Sequence, residues 1–366
     1  MGKEKIMRLN FGPVHPAMHG VLKVILDVKG DTVIKAQTEI GFLHRASEKI
    51  AEMRYFSNYY PIMDKLDYVS AINMEILYAS VVEKAANIEI PPRAVYIRTI
   101  MAEIQRIMSH LIFIGSFGED IGNMTGFIWA LRERELLMNI VEKVSGGRLA
   151  PMYICNGGMF YDFPQGIEEE ILKALSVIEN KVNHEYNAMF TKNQIFLSRT
   201  KGIGIITTDM IKKYGITGPI ARASGINRDL RKVSPYLAYD KVDFDIPTEK
   251  EGDTYSRFVV RIREVLESIK IIRQCIKDLP TGPYKTVVPW IIRIPKKDTL
   301  VKQESPRGEM GVFLVTDGSD KPYRLKLRSP TFFAIHALQE LLVNIKIADI
   351  FVIVASIDPV MGEVDR

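Results

Sequence analysis

The stretch "PRAVYIRTIMAEIQRIMSHLIFIG", at residues 92–115, repeats apolar residues every three to four positions and opens on a proline, which is typical of a long helix. The stretches "KLDYVSAINMEILYASVVEKAAN" at 65–87 and "NMTGFIWALRERELLMNIVEKVSG" at 123–146 share this pattern. Helices of this length gain stability by burying their apolar faces against one another. The sequence therefore predicts a central helical bundle over residues 43–200.

Strand signals precede the predicted bundle. Residues 21–28, "VLKVILDV", alternate in polarity, and the turn "KGD" leads into a second run, "TVIKAQTEI", at 32–40. Two such runs joined by a short turn are typical of an antiparallel hairpin. We therefore predict an N-terminal β region over residues 1–42.

The last third of the chain mixes helix and strand signals. An amphipathic helix is predicted near 254–278, a hairpin at 309–330, and one helix over "TFFAIHALQELLVNIKIADI" at 331–350. These elements form a predicted C-terminal α+β region over residues 201–366. Because no repeat or linker divides the chain, we predict one integrated α+β domain over residues 1–366.

The composition indicates an ordered globular chain and argues against several functions. Of the 366 residues, 47% are hydrophobic, and the formal net charge is +5. Basic and acidic residues are interleaved, so no basic stripe predicts a nucleic-acid partner. Cys155 and Cys275 form no paired motif, so we expect a reducing compartment and no metal cluster held by this chain's thiolates. The apolar runs fall short of the roughly 18 residues of a membrane span, and we expect neither export nor a transmembrane helix.

The stretch "GPVHPAMHG" at residues 12–20 places His15 and His19 four residues apart. This spacing suits a metal when a helix carries both rings, but Pro16 lies between them and no HExxH, CxxC or acidic cluster accompanies them. The alternative is a turn shaped by glycine and proline whose histidines form hydrogen bonds. We predict no metal site here, with His15 in a structural role.

Five motifs follow one another along the chain: "GPVHPAMHG" at 12–20, "IGFLHRASEK" at 40–49, "DKLDYVSAINMEILYASVVEK" at 64–84, "EDIGNMTGFIWALRERE" at 119–135 and "DPVMGEVDR" at 358–366. Together they resemble the quinone-reducing large subunit of respiratory complex I, the subunit called D or 49-kDa. The resemblance begins near residue 9 and reaches the last residue. That family is similar to the nickel-iron hydrogenase large subunit, which implies an α+β fold of the hydrogenase large-subunit type.

The same resemblance argues against hydrogenase chemistry. A hydrogenase would hold nickel and iron with four cysteine thiolates from two Cys-x-x-Cys pairs, because soft thiolates suit these metals. The matching positions here are Asp67, Ser70, Val360 and Glu363. We therefore expect that this chain holds no metal and that the cavity is free to bind another ligand.

The resemblance implies that this ligand is the headgroup of a quinone. Its two carbonyl oxygens each take up a proton on reduction, so the site needs two hydrogen-bond donors. His19 and Tyr68 match the family positions that fill these roles. Asp120 matches the acid that pairs with His19, where a carboxylate would orient the ring and favour its protonated form. Arg45, in "HRASEK", matches the family's arginine near a 4Fe-4S cluster of the neighbouring subunit.

Several residues depart from the family pattern. Ala46 replaces a glycine that usually follows the arginine, so the local backbone there is in question. Ala150 replaces a histidine proposed to link cluster reduction to proton uptake, which puts that coupling in doubt. Cys155 replaces an arginine, and Gly126 replaces the proline of the usual "TPFF". These changes suggest a prokaryotic branch distant from mitochondria, and they leave the identity of the electron donor open.

The sequence as a whole predicts the quinone-site subunit of a membrane-associated, ion-translocating NADH:quinone oxidoreductase. It should lie peripherally at the cytoplasmic side of the cell membrane and hold no cofactor of its own. Expected partners are the iron-sulfur subunit of the connecting arm, other peripheral-arm subunits and the membrane subunit that forms the quinone entrance. The alternatives are an archaeal deazaflavin-dependent or ferredoxin-fed enzyme, with quinone or phenazine as acceptor, and a scaffold without redox chemistry.

Overall fold

The protein was analysed as a computed structural model, which describes residues 6–15 and 18–366. The chain begins with a three-stranded antiparallel sheet in the order β1, β2, β3, and the predicted hairpin is confirmed as its second and third strands. Val24, Leu26 and Val28 of the middle strand are buried, because alternate side chains of a strand point to the same face. The strands are β1 (Ile6–Phe11), β2 (Lys23–Lys29) and β3 (Thr32–Glu39).

The helical signals between residues 43 and 200 are confirmed in part. The first predicted helix begins at Ala71, since residues 65–70 form turns. A two-stranded hairpin, which the sequence did not indicate, also interrupts the helices. The elements are α1 (Ser47–Ala51), a 3-10 turn (Phe56–Asn58), α2 (Tyr60–Met63), α3 (Ala71–Ala86), α4 (Pro92–Asp120), α5 (Met124–Ser145), β4 (Ile154–Cys155), β5 (Gly158–Met159), α6 (Ile167–Lys181), a π-helix (Val182–Thr191) and α7 (Gln194–Thr200).

Helix α4 lies at the centre of the fold. It begins at Pro92, where proline suits the first helical position because the missing N–H has no intrahelical partner there. It packs against α3 and α5, and also against two later helices, α11 (Thr254–Lys277) and α13 (Ile347–Ile357). Surrounded in this way, α4 buries polar as well as apolar side chains along its length.

A network of buried charged residues accompanies α4. Glu103 accepts hydrogen bonds from Arg231, with both N–O distances at 3.2 Å. Glu264 accepts from Arg222 at 2.7 Å and lies 2.9 Å from Nε2 of His110. All five side chains are almost fully buried. Because a buried charge that loses its partner costs several kcal/mol, roughly 3–5, these pairs constrain how the surrounding helices pack.

The corner between α4 and α5 shows why a glycine occupies position 126. A Cβ atom on Gly126 would lie 2.4 Å from Cζ of Phe190, and one on Gly118 would lie 3.1 Å from Cε1 of the same ring. Phe190 belongs to the π-helix, so its ring fills the space where the family's proline would stand. The departure at Gly126 is therefore accompanied by a large side chain packed against it.

The rest of the chain forms the mixed C-terminal part. The amphipathic helix predicted near 254–278 is confirmed as α11, and the hairpin predicted at 309–330 is confirmed as β7 and β8. A third strand, β6, pairs antiparallel with β7. The remaining elements are α8 (Thr208–Tyr214), α9 (Pro219–Ala223), α10 (Leu230–Val233), β6 (Lys297–Ser305), β7 (Gly308–Thr316), β8 (Arg324–Arg328), α12 (Pro330–Leu341) and α14 (Met361–Asp365).

The prediction of one helix over residues 331–350 is wrong. The chain leaves the helical path after Leu341 and resumes it at Ile347 as α13. Asn344 donates its backbone N–H to the carbonyl of Val33, and Val33 donates to the carbonyl of Ile345. These bonds to β3 satisfy backbone groups that a continuous helix would have paired within itself.

Two apolar clusters stabilise the fold. The larger cluster joins α3, α4, α5, α6 and α11 to the sheet formed by β6, β7 and β8, while the smaller one lies under the N-terminal sheet, between β2, α12 and α13. Across residues 6–15 and 18–366, no helix combines the length and apolarity that crossing a bilayer requires. Helices and antiparallel strands packed together confirm the predicted α+β class.

Candidate functional site

His19 and Asp120 form a hydrogen-bonded pair across 101 positions of the chain. Nε2 of His19 lies 2.7 Å from Oδ2 of Asp120, and the two side chains are 17% and 8% exposed. Asp120 is the last residue of α4, and the C-terminal end of a helix carries partial negative charge that favours a cation nearby. The structure thus brings these two predicted site residues together.

His15 has different neighbours from His19. Its ring stacks on Phe351, with centroids 5.5 Å apart, and meets the edge of Phe11 at 5.9 Å. These contacts are those of a packed aromatic side chain, as expected for a structural histidine. The intervening Pro16 and Ala17, on which the predicted turn depends, lie outside the described residues.

Tyr68 lies on the turn between α2 and α3 and is 45% exposed. Burial of part of the side chain raises the pKa of Tyr68, and the positive charge of Arg307 opposes this rise. The neighbouring Asp67 is fully buried beneath it. A half-exposed phenol that stays protonated is suited to donate a hydrogen bond to a ligand.

Asp67 belongs to a buried cluster that the sequence did not indicate. Arg307 donates to the two oxygens of Asp67 at 2.8 and 3.1 Å, and its Nε donates to the backbone carbonyl of Asp358 at 3.2 Å. The Asp358 carboxylate lies 3.4 Å from Nη2 of the same arginine. Burial raises the pKa of Asp67, and Arg307 opposes this rise. Arg307 therefore holds the Tyr68 turn to the segment that precedes α14.

The four positions that the sequence analysis matched to hydrogenase cysteines are all buried. Ser70 accepts a hydrogen bond from Asn73 at 2.7 Å, and Val360 is 2% exposed. Glu363 accepts from the backbone N–H of Thr331, and burial, followed by the negative charge of Asp67, raises its pKa to about 7. Within the described part of the chain, no group of three or more His, Cys, Asp or Glu side chains is arranged to hold a metal ion.

The segments that carry His19 and Tyr68 both contact α14. A Cβ on Gly20 would lie 3.1 Å from Cγ of Met361, and one on Gly362 would lie 2.6 Å from the carbonyl oxygen of Leu66. In the residues that the structure describes, no hydrogen bond joins His19 to Tyr68. The C-terminal segment therefore lies against both turns, so the segments that carry the two predicted donors share α14 as a neighbour.

Arg45 is exposed and lines a small cleft together with Lys65 and Gly362. Across residues 6–15 and 18–366 it forms no ion pair, so its charge is available to a partner. The adjacent Ala46 has a φ angle of 53°, in the left-handed region that glycine adopts readily. The alanine thus keeps the backbone conformation that a glycine at this position would favour.

Replacing Ala46 by glycine should raise the free energy of unfolding by roughly 0.5–1 kcal/mol. The left-handed conformation costs an L-residue about 1–2 kcal/mol, and the greater freedom of glycine in the unfolded chain offsets part of the gain. Urea denaturation measures this difference. Ala86→Gly, within α3, is the control and should instead destabilise the protein. Equal losses in both variants would contradict the argument.

The hairpin of β4 and β5 contains one departure from the family pattern, Cys155, and a second, Ala150, precedes it. The backbone N–H groups of Tyr153 and Ile154 donate to Glu75 at 2.8 and 2.7 Å, and Arg98 donates to the carbonyl of Cys155 at 2.9 Å. Burial raises the pKa of the Cys155 thiol, which argues against a reactive thiolate. Ala150 lies just before this hairpin and offers no titratable group.

Sequence reasoning missed Arg307 as part of the site. It follows Pro306 in the tight turn between β6 and β7, where an arginine is usually exposed. The "SPRG" turn carries no sequence signal for burial. Arg307 is buried only because this turn packs against Asp67 and Asp358.

Comparisons with known proteins identify the family of the chain. The family described as "Respiratory-chain NADH dehydrogenase, 49 Kd subunit" matches residues 120–297 and 285–366. The D-type subunit of the NADH-quinone oxidoreductase of Clostridium beijerinckii is 43% identical over 98% of this chain and 97% of that protein. A D-type subunit from Solibacter usitatus is 42% identical over 98% and 96%. The H-type subunit of the chloroplastic NAD(P)H-quinone oxidoreductase of Physcomitrium patens is 41% identical over 100% and 99%.

Identity at this level over nearly the whole length of both proteins shows common descent and a shared fold. The chain belongs to the family of the 49 kDa subunit of respiratory-chain NADH dehydrogenase. The resemblance that the five motifs indicated is thereby confirmed.

Proposed function

We propose that this chain forms the quinone-reducing site of a membrane-associated, ion-translocating NADH:quinone oxidoreductase. The observation that carries the proposal is the 2.7 Å pair between His19 and Asp120, together with the neighbour α14 that the segments of His19 and the half-exposed Tyr68 share. The relatives are named as subunits of quinone oxidoreductases, which supports the proposal further. The fold is proposed to be of the nickel-iron hydrogenase large-subunit type, in one integrated domain.

Reduction of a quinone to a quinol places one proton on each carbonyl oxygen, so the site must supply two. The Tyr68 hydroxyl is the donor to one oxygen. Nε2 of His19 contacts Asp120, and Nδ1 has no partner within the described residues. Nδ1–H of His19 is therefore the donor to the second carbonyl oxygen of the quinone. Donation from Nδ1 leaves a neutral ring that Asp120 still orients through Nε2–H.

Electrons would come from a 4Fe-4S cluster held by a partner subunit. Arg45 fits a position beside such a cluster, because its guanidinium is exposed and forms no ion pair with another described residue. A fixed positive charge lowers the energy of an added electron nearby. In this proposal the chain itself holds no metal and is not a hydrogenase, since Asp67, Ser70, Val360 and Glu363 provide no thiolate.

The proposed partners are the iron-sulfur subunit, other subunits of the peripheral arm and a membrane subunit through which quinone enters. The proposed location is peripheral, at the cytoplasmic side of the cell membrane. A deazaflavin-dependent or ferredoxin-fed enzyme, with quinone or phenazine as acceptor, would use the same residues. Identification of the input subunits that copurify with the chain distinguishes these donors. A scaffold without redox chemistry would not need His19, Tyr68 and Asp120 together.

Replacing Asp120 by asparagine should slow quinone reduction by roughly 10²-fold, the lower range of what a positioned general acid contributes, because His19 loses the carboxylate that orients its ring. The amide keeps the size of the side chain but replaces one acceptor oxygen by an NH2 donor, so it no longer fixes which ring nitrogen of His19 carries the proton. Steady-state quinone reduction by the assembled enzyme, measured from about pH 6 to 8, tests this.

Asp278→Asn is the matched control, because Asp278 also ends a long helix, α11, and is exposed. It should leave the rate unchanged. Reduction of the iron-sulfur clusters by the electron donor should be normal in both variants. A full rate in Asp120→Asn at every pH would remove the main support for the proposed proton donor.

A further inference from the structure

Two carboxyl groups outside the proposed quinone site lie buried against each other. Asp64 follows α2, four residues before Tyr68, and Glu75 lies in the second turn of α3. Asp64 is 1% exposed and Glu75 is 0% exposed. Their side chains are within hydrogen-bonding reach of each other. Nothing in the proposed quinone chemistry uses either group.

The hydrogen bonds of this pair are incomplete unless a proton lies between them. Oε2 of Glu75 accepts from the backbone N–H groups of Tyr153 and Ile154. Its Oε1 and both oxygens of Asp64 have no hydrogen-bond donor among the described residues. Two ionised carboxylates in contact, without donors, would repel strongly at low dielectric. One proton shared between them turns the repulsion into a hydrogen bond.

No neighbouring positive charge in the described residues neutralises the two carboxylates in place of a proton. Lys65 is the charged group besides Glu75 that acts on Asp64, and it is exposed to solvent. From the hairpin side, Glu75 meets the backbone of Tyr153 and Ile154, and the buried Tyr153 hydroxyl stays protonated because burial raises its pKa. No arginine or lysine bonds to either carboxylate in the described part of the chain. This distinguishes the pair from Asp67, which Arg307 neutralises.

The direction of the pKa shifts agrees with this geometry. Burial raises the pKa of Asp64 to about 7. Burial and, after it, the charge of Asp64 raise the pKa of Glu75 well above its usual value. At neutral pH and below, the pair therefore keeps a proton that isolated carboxyl groups would have lost.

We propose that Asp64 and Glu75 form a proton-binding site that takes up one proton per pair and, when occupied, ties the Tyr68 turn to the hairpin of β4 and β5. Asp64 belongs to the turn, and Glu75 holds the hairpin through Tyr153 and Ile154. Loss of the shared proton leaves two carboxylates that repel each other, which loosens this link. The proton-binding site does not depend on quinone chemistry, so this proposal and the proposed function are tested independently.

The shared proton links this site to the stability of the protein. The pKa values of the pair are higher in the folded chain than in the unfolded chain. At pH values between the unfolded and the folded pKa, the folded chain therefore binds more protons. The contribution of the pair to stability is therefore complete below about pH 4, the unfolded value. It begins to fall at about pH 7, where Asp64 ionises, and the shared proton itself is lost only as the pH rises through the raised pKa of Glu75. The difference in stability between wild type and Glu75→Gln should follow this curve.

Infrared spectroscopy of the full chain, without quinone, tests the proposal through the carbonyl band of protonated carboxyl groups. At about pH 6, Asp64→Asn and Glu75→Gln should each lose one protonated carboxyl group per chain relative to wild type, because either amide donates to the remaining carboxylate. Asp298→Asn, an exposed control on β6, should lose none. A loss in only one of the two variants would mean an unshared proton, and no loss in either would mean an ionised pair. Both results overturn the proposal.

A second measurement uses the wild-type chain, in case a variant does not fold. Amide hydrogen exchange at Tyr153 and Ile154 should rise faster than the hydroxide concentration as the pH increases above about 7, where Asp64 is ionised and Glu75 gives up the shared proton, because loosening of the pair exposes these N–H groups. Exchange strictly proportional to hydroxide over this range would show that the link does not respond to the proton.

Discussion

Quinone reduction by the assembled enzyme should fall by about 10²-fold when Tyr68 is replaced by phenylalanine, the lower range of what a positioned proton donor contributes. Phenylalanine keeps the ring, so the packing of the turn over the buried Asp67 is preserved and only the hydroxyl is removed. That hydroxyl remains protonated at neutral pH, since burial raises the pKa of Tyr68. The measurement is the steady-state rate with a short-chain quinone, together with the extent of cluster reduction by the donor.

The control for this variant is Tyr323→Phe, another exposed tyrosine, 65% accessible, in the turn before β8. It should have the wild-type rate. Cluster reduction should be complete in both variants, because electron entry precedes the step that needs the phenol. A wild-type quinone rate in Tyr68→Phe would show that the donor to this oxygen is another group.

Replacing Arg307 by methionine should lower the free energy of unfolding by about 3–5 kcal/mol, the cost of leaving a buried charge without its partner. Methionine fills much of the space of the arginine stem but leaves Asp67 and Asp358 without the cation that bonds to both. Urea denaturation monitored by circular dichroism measures the loss. Arg324→Met removes an exposed ion pair instead and should cost less than about 1 kcal/mol.

The loss in Arg307→Met should depend on pH in a definite direction. Burial already raises the pKa of Asp67 and Arg307 opposes the rise, so removing the arginine raises that pKa further. The folded variant then takes up a proton that the unfolded chain does not bind at the same pH. The deficit should shrink as the pH falls toward about 4, the unfolded value. The double variant with Asp67→Asn should recover part of the stability, and the absence of both effects would show that the cluster is not electrostatically coupled.

The long helices could be predicted from the sequence because their signals are local. Helix α5 begins after Asn123, which caps it by accepting from Gly126, and ends at Gly146 with φ 81°. Both residues are recognisable in the sequence as helix boundaries. The break between α12 and α13 could not be predicted in this way, since its cause is the pairing of Asn344 and Ile345 with a strand at the other end of the chain.

The candidate site was predictable to the extent that the family resemblance names residues. His19 and Asp120 were expected as a pair and lie 2.7 Å apart, whereas the roles of Tyr68 and Arg45 remain predictions. The cluster around Arg307 and the pair of Asp64 and Glu75 had no signal, because charged residues in turns and on helices are normally solvated. Their burial depends on tertiary packing that periodicity does not encode.

The network of charges beside α4 has a consequence for how the protein responds to ionic strength. Dissolved ions screen charges that they can approach, over about 10 Å at 0.1 M salt, but they do not enter a packed interior. Exposed pairs such as Lys143 with Glu170 weaken in concentrated sodium chloride, while Arg222 with Glu264 is inaccessible. A high-salt wash that strips electrostatically bound proteins from this chain should therefore leave its helical centre folded.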